Sequence, residues 1–121
     1  MIPSNKEIKM KKQELINLVL KITNSYEDYP FNNNNREKIL WTTIRQKSNK
    51  KIIALIFEKD NELLIDLNLS PKHGEEARQI AGVFPGYHMN KTHWNTINVN
   101  NTNLTYDGLI QMINKSNDLI K

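Results

Sequence analysis

Residues Lys51 to Phe57, KIIALIF, put apolar side chains on both sides of an extended chain, and this run constrains the fold most. Successive strand residues face opposite ways, so such a run belongs inside a sheet. It is covered on both faces, or on one with an aliphatic outer face. Its neighbours agree. Ile39 to Arg45, ILWTTIR, is rich in β-branched and aromatic residues. Leu63 to Leu69, LLIDLNL, alternates, with Leu63, Ile65, Leu67 and Leu69 on one face and Asp66 and Asn68 on the other. The links QKSNK and EKDNE have the length and polarity of hairpin turns, which predicts an antiparallel meander.

Helical spacing of Ile8, Leu15, Ile16, Val19 and Ile22 predicts an amphipathic helix over about Asn5 to Asn24, with Ser4 and Glu7 as its capping box. NSYEDYPFNNNN then reads as an exposed turn, with Tyr26, Tyr29 and Phe31 folding back onto the core. A short helix is expected from Lys72 to Ile80, ending at Gly82. A loop follows through GVFPGYHMNKTHW, turning at Pro85-Gly86, and WNTINVN adds a strand. Thr105 is the expected N-cap of a last helix, Tyr106 to Ile120, with Leu104 and Leu109 as its hydrophobic staple. Leu109, Ile110, Ile113, Asn117 and Ile120 form its inner stripe. The expected class is α+β: one domain over residues 1–121, an antiparallel sheet whose one face is covered by N- and C-terminal helices.

A chain of 121 residues can bury a core without staples, and the lack of cysteine excludes disulfides, thiolate metal sites and cysteine nucleophiles. No apolar run is long enough to span a bilayer, and the polar start MIPSNKEIKMKKQ has no secretory h-region. The expected location is the cytoplasm, with no membrane partner and a monomeric state. Lys and Arg total 17 against 13 Asp and Glu, a net charge of +4 that favours polyanions only mildly. Distribution says more: Arg45, Lys47, Lys50 and Lys51 fall together at the first hairpin with no acidic neighbour. By default such a group is a charged edge that keeps a hairpin soluble.

The densest chemistry is in Pro85 to Thr96, PGYHMNKTHWNT, which holds two of the three histidines and one of the two tryptophans. His88 and His93 suit neither one helix face nor one strand face, His73 is remote, and no carboxylate lies beside them. Zinc needs four ligands, or three and a water, so neither metal nor cofactor is expected. The stretch has no Asp, Glu, Ser or Cys to pair with a histidine, and no catalytic constellation is legible. Polyanion binding suits the residue types better. Lys91, His88 and His93 can donate to phosphates, Asn90 and Asn95 can donate and accept at base edges, and Tyr87 and Trp94 can stack. Against this, Trp94 at a strand entry fits better as a core anchor, His88 and Asn90 fit at least as well as loop fasteners, and Lys91 is by default a solvated charge. A pocket built by Tyr87, His88, Asn90 and Trp94, with Asn95 beside them, would instead suit a protein or small ligand.

PGYHMNKTHWNTI is very similar to the signature loop of the MmcQ/YjbR family of small bacterial proteins. YEDYPF, NKKIIALI, Ser70-Pro71 and the closing Ser116 with Leu119-Ile120 resemble further family segments, so the likeness covers nearly the whole chain. It implies a frataxin-like (CyaY-like, double-wing) α/β fold and a DNA-binding label that rests largely on structural analogy. Asn68 stands where the family often has a lysine, Asn117 where it has a tyrosine, and Ile52-Ile53 depart from its Gly-Lys-Met-Phe pattern. Frataxin-type iron binding does not carry over, because the first helix is basic rather than acidic. The expectation is a non-enzymatic DNA-binding protein of low sequence specificity. Its contacts would be Arg45, Lys47, Lys50, Lys51, Asn90, Lys91 and His93.

Overall fold

The structure is a computed structural model and describes residues 8–32, 38–87 and 89–121. Its elements run α1 (Lys12–Ile22), β1 (Ser25–Asp28), β2 (Thr42–Gln46), β3 (Ile52–Lys59), β4 (Glu62–Asn68), α2 (Pro71–Ala77), β5 (Val83–Pro85), β6 (Trp94–Asn98) and α3 (Tyr106–Leu119). The strands form one antiparallel sheet in the order β1-β2-β3-β4-β6-β5. KIIALIF lies in the middle of it, as its two-sided apolarity requires.

α1 and α3 cover one face of the sheet. Leu15, Ile16 and Val19 of α1 and Leu109 and Ile113 of α3 pack on Ile44, Ile53, Ile56, Ile65, Leu67 and Ile97, all buried. Thr105 caps α3 by accepting from the Gly108 amide at 3.0 Å, and Leu104 is buried at the helix entry, as the staple pattern predicts. Ser116 has a separate task. Its hydroxyl donates to the Ile53 carbonyl at 2.6 Å and accepts from the Asn68 amide at 3.0 Å. The β3–β4 pairing begins only at Ala54 and Leu67, so this serine bridges the two strands where their ladder opens.

The other face is crossed by a row that touches every strand. By register it runs Asp28, Thr43, Leu55, Asp66, Thr96 and Phe84. Beside it, Trp41 packs on Phe57 with ring centroids 4.2 Å apart. These two form a second, smaller core with Ile39 and Leu55.

Several expectations need correction. α1 starts at Lys12, after an extended entry in which the Asn100 side chain bonds both the amide and the carbonyl of Met10 at 2.8 Å. The Lys11 amide donates to Glu14 at that helix start, whereas Ser4 and Glu7 lie outside the described residues. SYED is a strand, because the free edge of β2 offers it backbone partners. Tyr29 and Phe31 do not return to the core, being 43% and 45% exposed, while Tyr26 is half-buried. α2 ends at Ala77, and Val83–Pro85 pairs with β6 as an edge strand where a loop is expected.

Candidate functional site

The signature stretch folds as a compact loop against the face without helices. Its ends are tied by the Gly86 amide, which donates to the Trp94 carbonyl at 2.8 Å, giving the close-ended geometry of an Ω-loop. Glycine is required there: a Cβ on Gly86 would stand 2.7 Å from the Trp94 Cβ and 2.8 Å from its carbonyl oxygen. Inside the loop, Asn90 accepts from the Thr92 amide through its side chain at 2.9 Å and from the Trp94 amide through its carbonyl at 2.9 Å. Lys91 curls back, its ammonium donating to the Gly86 carbonyl at 2.7 Å. Tyr87 lies over the sheet, stacked on Phe57 and Trp41 at centroid separations of 5.8 and 6.3 Å. Met89 packs against the same cluster.

Under this cover lies a carboxylic acid that the alternation of LLIDLNL places on this face. Asp66 is 0% exposed. Thr96 donates its hydroxyl proton to Asp66 Oδ1 and accepts from the Tyr87 amide at 2.8 Å, so one hydroxyl joins the acid to the loop. Burial pushes the Asp66 pKa up to about 7, against the opposing influence of the Thr96 bond and the Lys91 charge. Among the described residues, Thr43 Oγ1, Asp66 Oδ2 and Asn68 Oδ1 are buried without a hydrogen-bond partner, and register puts all three on this face. Alternation along β4 was the sequence signal for the face that carries Asp66. Burial of the acid depends on Leu55, Thr96 and the loop, which come from other parts of the chain.

The structure places the expected contact residues in different settings. Lys47, Lys50 and Lys51 are exposed at the β2–β3 turn, where Lys50 adopts a left-handed φ of 63°. That tip is fastened to the end of α3: Gln46 donates to the Asn117 carbonyl at 2.6 Å and Asn49 to the Ile120 carbonyl at 2.8 Å. Arg45 is not part of the free group, because its Nε pairs with Asp28 at 2.7 Å and its guanidinium also donates to the Lys50 carbonyl. His93 is exposed, and its carbonyl accepts from the Leu69 amide at 2.7 Å. Of the expected pocket, Tyr87 and Trp94 are half-buried and His88 lies outside the described residues. Asn95 is fully buried, its register partner is Leu67 of the helix-covered face, and its side chain accepts from Arg78 and donates to the His93 carbonyl. It secures the fold and does not face the loop. No three His, Asp or Glu side chains come together as a metal cluster among the described residues, and no helix there is long and apolar enough to cross a membrane.

The family model described as YjbR matches residues 20–119, which is most of the chain and includes the loop, Asp66 and Ser116. The chain belongs to the YjbR family. A crystal structure of a Pseudomonas syringae protein superposes with a TM-score of 0.77 at 26% identity, covering 93% of this chain and 100% of that one. A solution structure from Pseudomonas syringae gives a TM-score of 0.74 at 25% identity, covering 93% and 94%. A Deinococcus radiodurans protein with a DUF419 domain gives 0.69 at 26% identity, covering 89% of this chain and 76% of that one. No curated protein matches. The YjbR sheet is therefore shared across these chains, and neither solved relative's description states an activity.

Proposed function

We propose that this YjbR protein is a non-enzymatic, cytoplasmic DNA-binding protein of low sequence specificity, and that its fold is of the frataxin-like (CyaY-like) kind. The observation that carries the function is the β2–β3 tip. Lys47, Lys50 and Lys51 are exposed within one turn, and among the described residues no carboxylate forms an ion pair with them. Because Gln46 and Asn49 pin the turn to α3, the ammonium groups are carried on a fixed base rather than on a loose loop. His93 and Asn90 lie at the same end of the sheet, since Gln46, Ile52 and Trp94 are the strand termini there. Lys91 belongs to the loop's internal bonding and Arg45 to its pair with Asp28, so both contribute less than the sequence pattern implies. Among the described residues no helix offers a recognition face of Arg, Asn and Gln, which agrees with phosphate contacts and little base readout.

Three phosphate contacts predict modest affinity that falls with salt, with a slope of log K against log salt of about −3. The test is fluorescence anisotropy with a labelled duplex across a salt series, using the wild type and the Lys47→Gln, Lys50→Gln, Lys51→Gln triple variant. The triple variant should lower the slope of log K against log salt by about 2 to 3. Identical slopes for the two proteins, or no binding by the wild type at low salt, would remove the proposal.

A further inference from the structure

A cavity of about 250 Å3 opens beside the loop, at the end of the sheet away from the lysine tip. Lys59, Asp60, Leu64, Phe84, Pro85, Tyr87 and Thr96 line it. Its volume falls just below the ~300 to 1,000 Å3 typical of pockets for drug-sized ligands, which suits one ring system and excludes a dinucleotide.

The walls are apolar and partly aromatic. Phe84 is 51% exposed on the edge strand β5, so its ring is not spent on the core. Register sets it beside Thr96 on the same face. Tyr87 is held in place by the hydrogen bond its amide donates to the Thr96 hydroxyl and by stacking on Phe57 and Trp41. Two aromatic side chains and a proline around a shallow cleft favour a flat guest.

The polar groups alternate in character. Lys59 brings a cation 5.4 Å from the centre of the Tyr87 ring, and Asp60 pairs with it at 3.0 Å while keeping its side chain 83% exposed. Thr96 supplies a hydroxyl at the floor. That hydroxyl donates to ionised Asp66, and when Asp66 carries its proton on Oδ1 the hydroxyl is released to donate into the cavity. A donor, an acceptor and a group able to act as either match a ring edge on which carbonyl and N–H groups stand side by side.

We propose that this cavity binds a single planar ring with a lactam or imide edge, the kind of edge a uracil or thymine base presents. The ring lies against Phe84 and Tyr87, its N–H donates to Asp60, and its carbonyl oxygens accept from Lys59 and the Thr96 hydroxyl. This site does not depend on the lysine tip or on DNA binding, because the ligand needs no phosphate.

The experiment is an amide chemical-shift titration of the intact protein with uridine, N3-methyluridine and benzyl alcohol, each up to about 10 mM, a range suited to weak binding. Uridine should move the amides of residues 59–60, 84, 86–87 and 96. N3-methyluridine, lacking the N–H, should bind roughly tenfold more weakly, and benzyl alcohol should not saturate. Phe84→Ala should weaken uridine roughly tenfold while leaving the remaining spectrum and the duplex anisotropy unchanged. Asp60→Asn, on an exposed turn, provides a second variant should Phe84→Ala disturb β5, and it should weaken uridine while N3-methyluridine is unaffected. Absence of uridine shifts, shifts confined to residues 47–51, or equal binding of uridine and N3-methyluridine would overturn the assignment.

Discussion

The two faces of the sheet use the same strands for opposite purposes. The helix-covered face is aliphatic, closed and internally satisfied, with Ile65, Leu67 and Ile97 fully buried under α1 and α3. The loop-covered face holds a smaller aromatic cluster, a buried acid and, among the described residues, three unpartnered polar atoms, roofed by a loop rather than by regular structure. A side chain on the first face contributes by transfer from water and by close packing. On the second face the cost of burying Asp66 is set against the larger apolar core on the first. A buried, perturbed carboxyl beside a cavity is where chemistry would be sought in a protein of this size.

The sharpest way to separate the faces is to damage each and compare. Ile65→Ala leaves a void under both helices and should cost about 2 to 5 kcal/mol in urea denaturation. Asp66→Asn should do the opposite at high pH. The folded protein keeps a proton on Asp66 that the unfolded chain releases from its ordinary value of 3.8, and gives it up only near the raised value of about 7. Wild-type stability should therefore fall as pH rises between these two values and level off above them. At ~1.36 kcal/mol for each pH unit the loss is a few kcal/mol, about 4 at most. The Asn variant should lack this part of the slope and be the more stable protein at pH above about 8. A wild type whose stability rises from mildly acid to neutral pH would contradict the burial of Asp66 as described.

Smaller effects refine the comparison. Ser116→Ala leaves the Ile53 carbonyl and the Asn68 amide without the hydroxyl that serves both, and should cost about 1 to 3 kcal/mol. Hydrogen exchange should show the Asn68 amide losing protection. Gly86→Ala forces the loop away from Trp94 and should cost about 1 to 3 kcal/mol, with the largest chemical-shift changes in the loop and at Thr96. Lys91→Met should raise the Asp66 carboxyl pKa further, because the lysine charge lowers it, with little change in stability below neutral pH. Carboxyl carbon shifts followed through a pH titration would read that change directly.

Much of this was legible in the chain. KIIALIF is central because an apolar run of that length must be covered. Alternation in LLIDLNL put Asp66 and Asn68 on the face opposite Leu63, Ile65 and Leu67. The Thr105 cap and the Leu104–Leu109 staple were read from spacing alone. These are local properties, set by pleat, helical period and capping chemistry, and they need no distant partner. The edge strands Ser25–Asp28 and Val83–Pro85 were missed for the converse reason: they are short, carry little alternation and form because a neighbour presents free backbone groups.

The candidate site divides along the same line. Residue types in the loop pointed to its importance, and the loop resemblance to the family that residues 20–119 match. Only the tertiary structure removed Arg45 from the cation group, by bringing Asp28 from β1 beside it. Only tertiary structure brought Arg78 to Asn95 and buried Asp66 beneath Thr96 and the loop. The sequence by itself determined which faces the strands would have and which family the loop marks. The burial, pairing and charge of the groups on those faces were decided by contacts between residues up to dozens of positions apart, and no local pattern encodes such contacts.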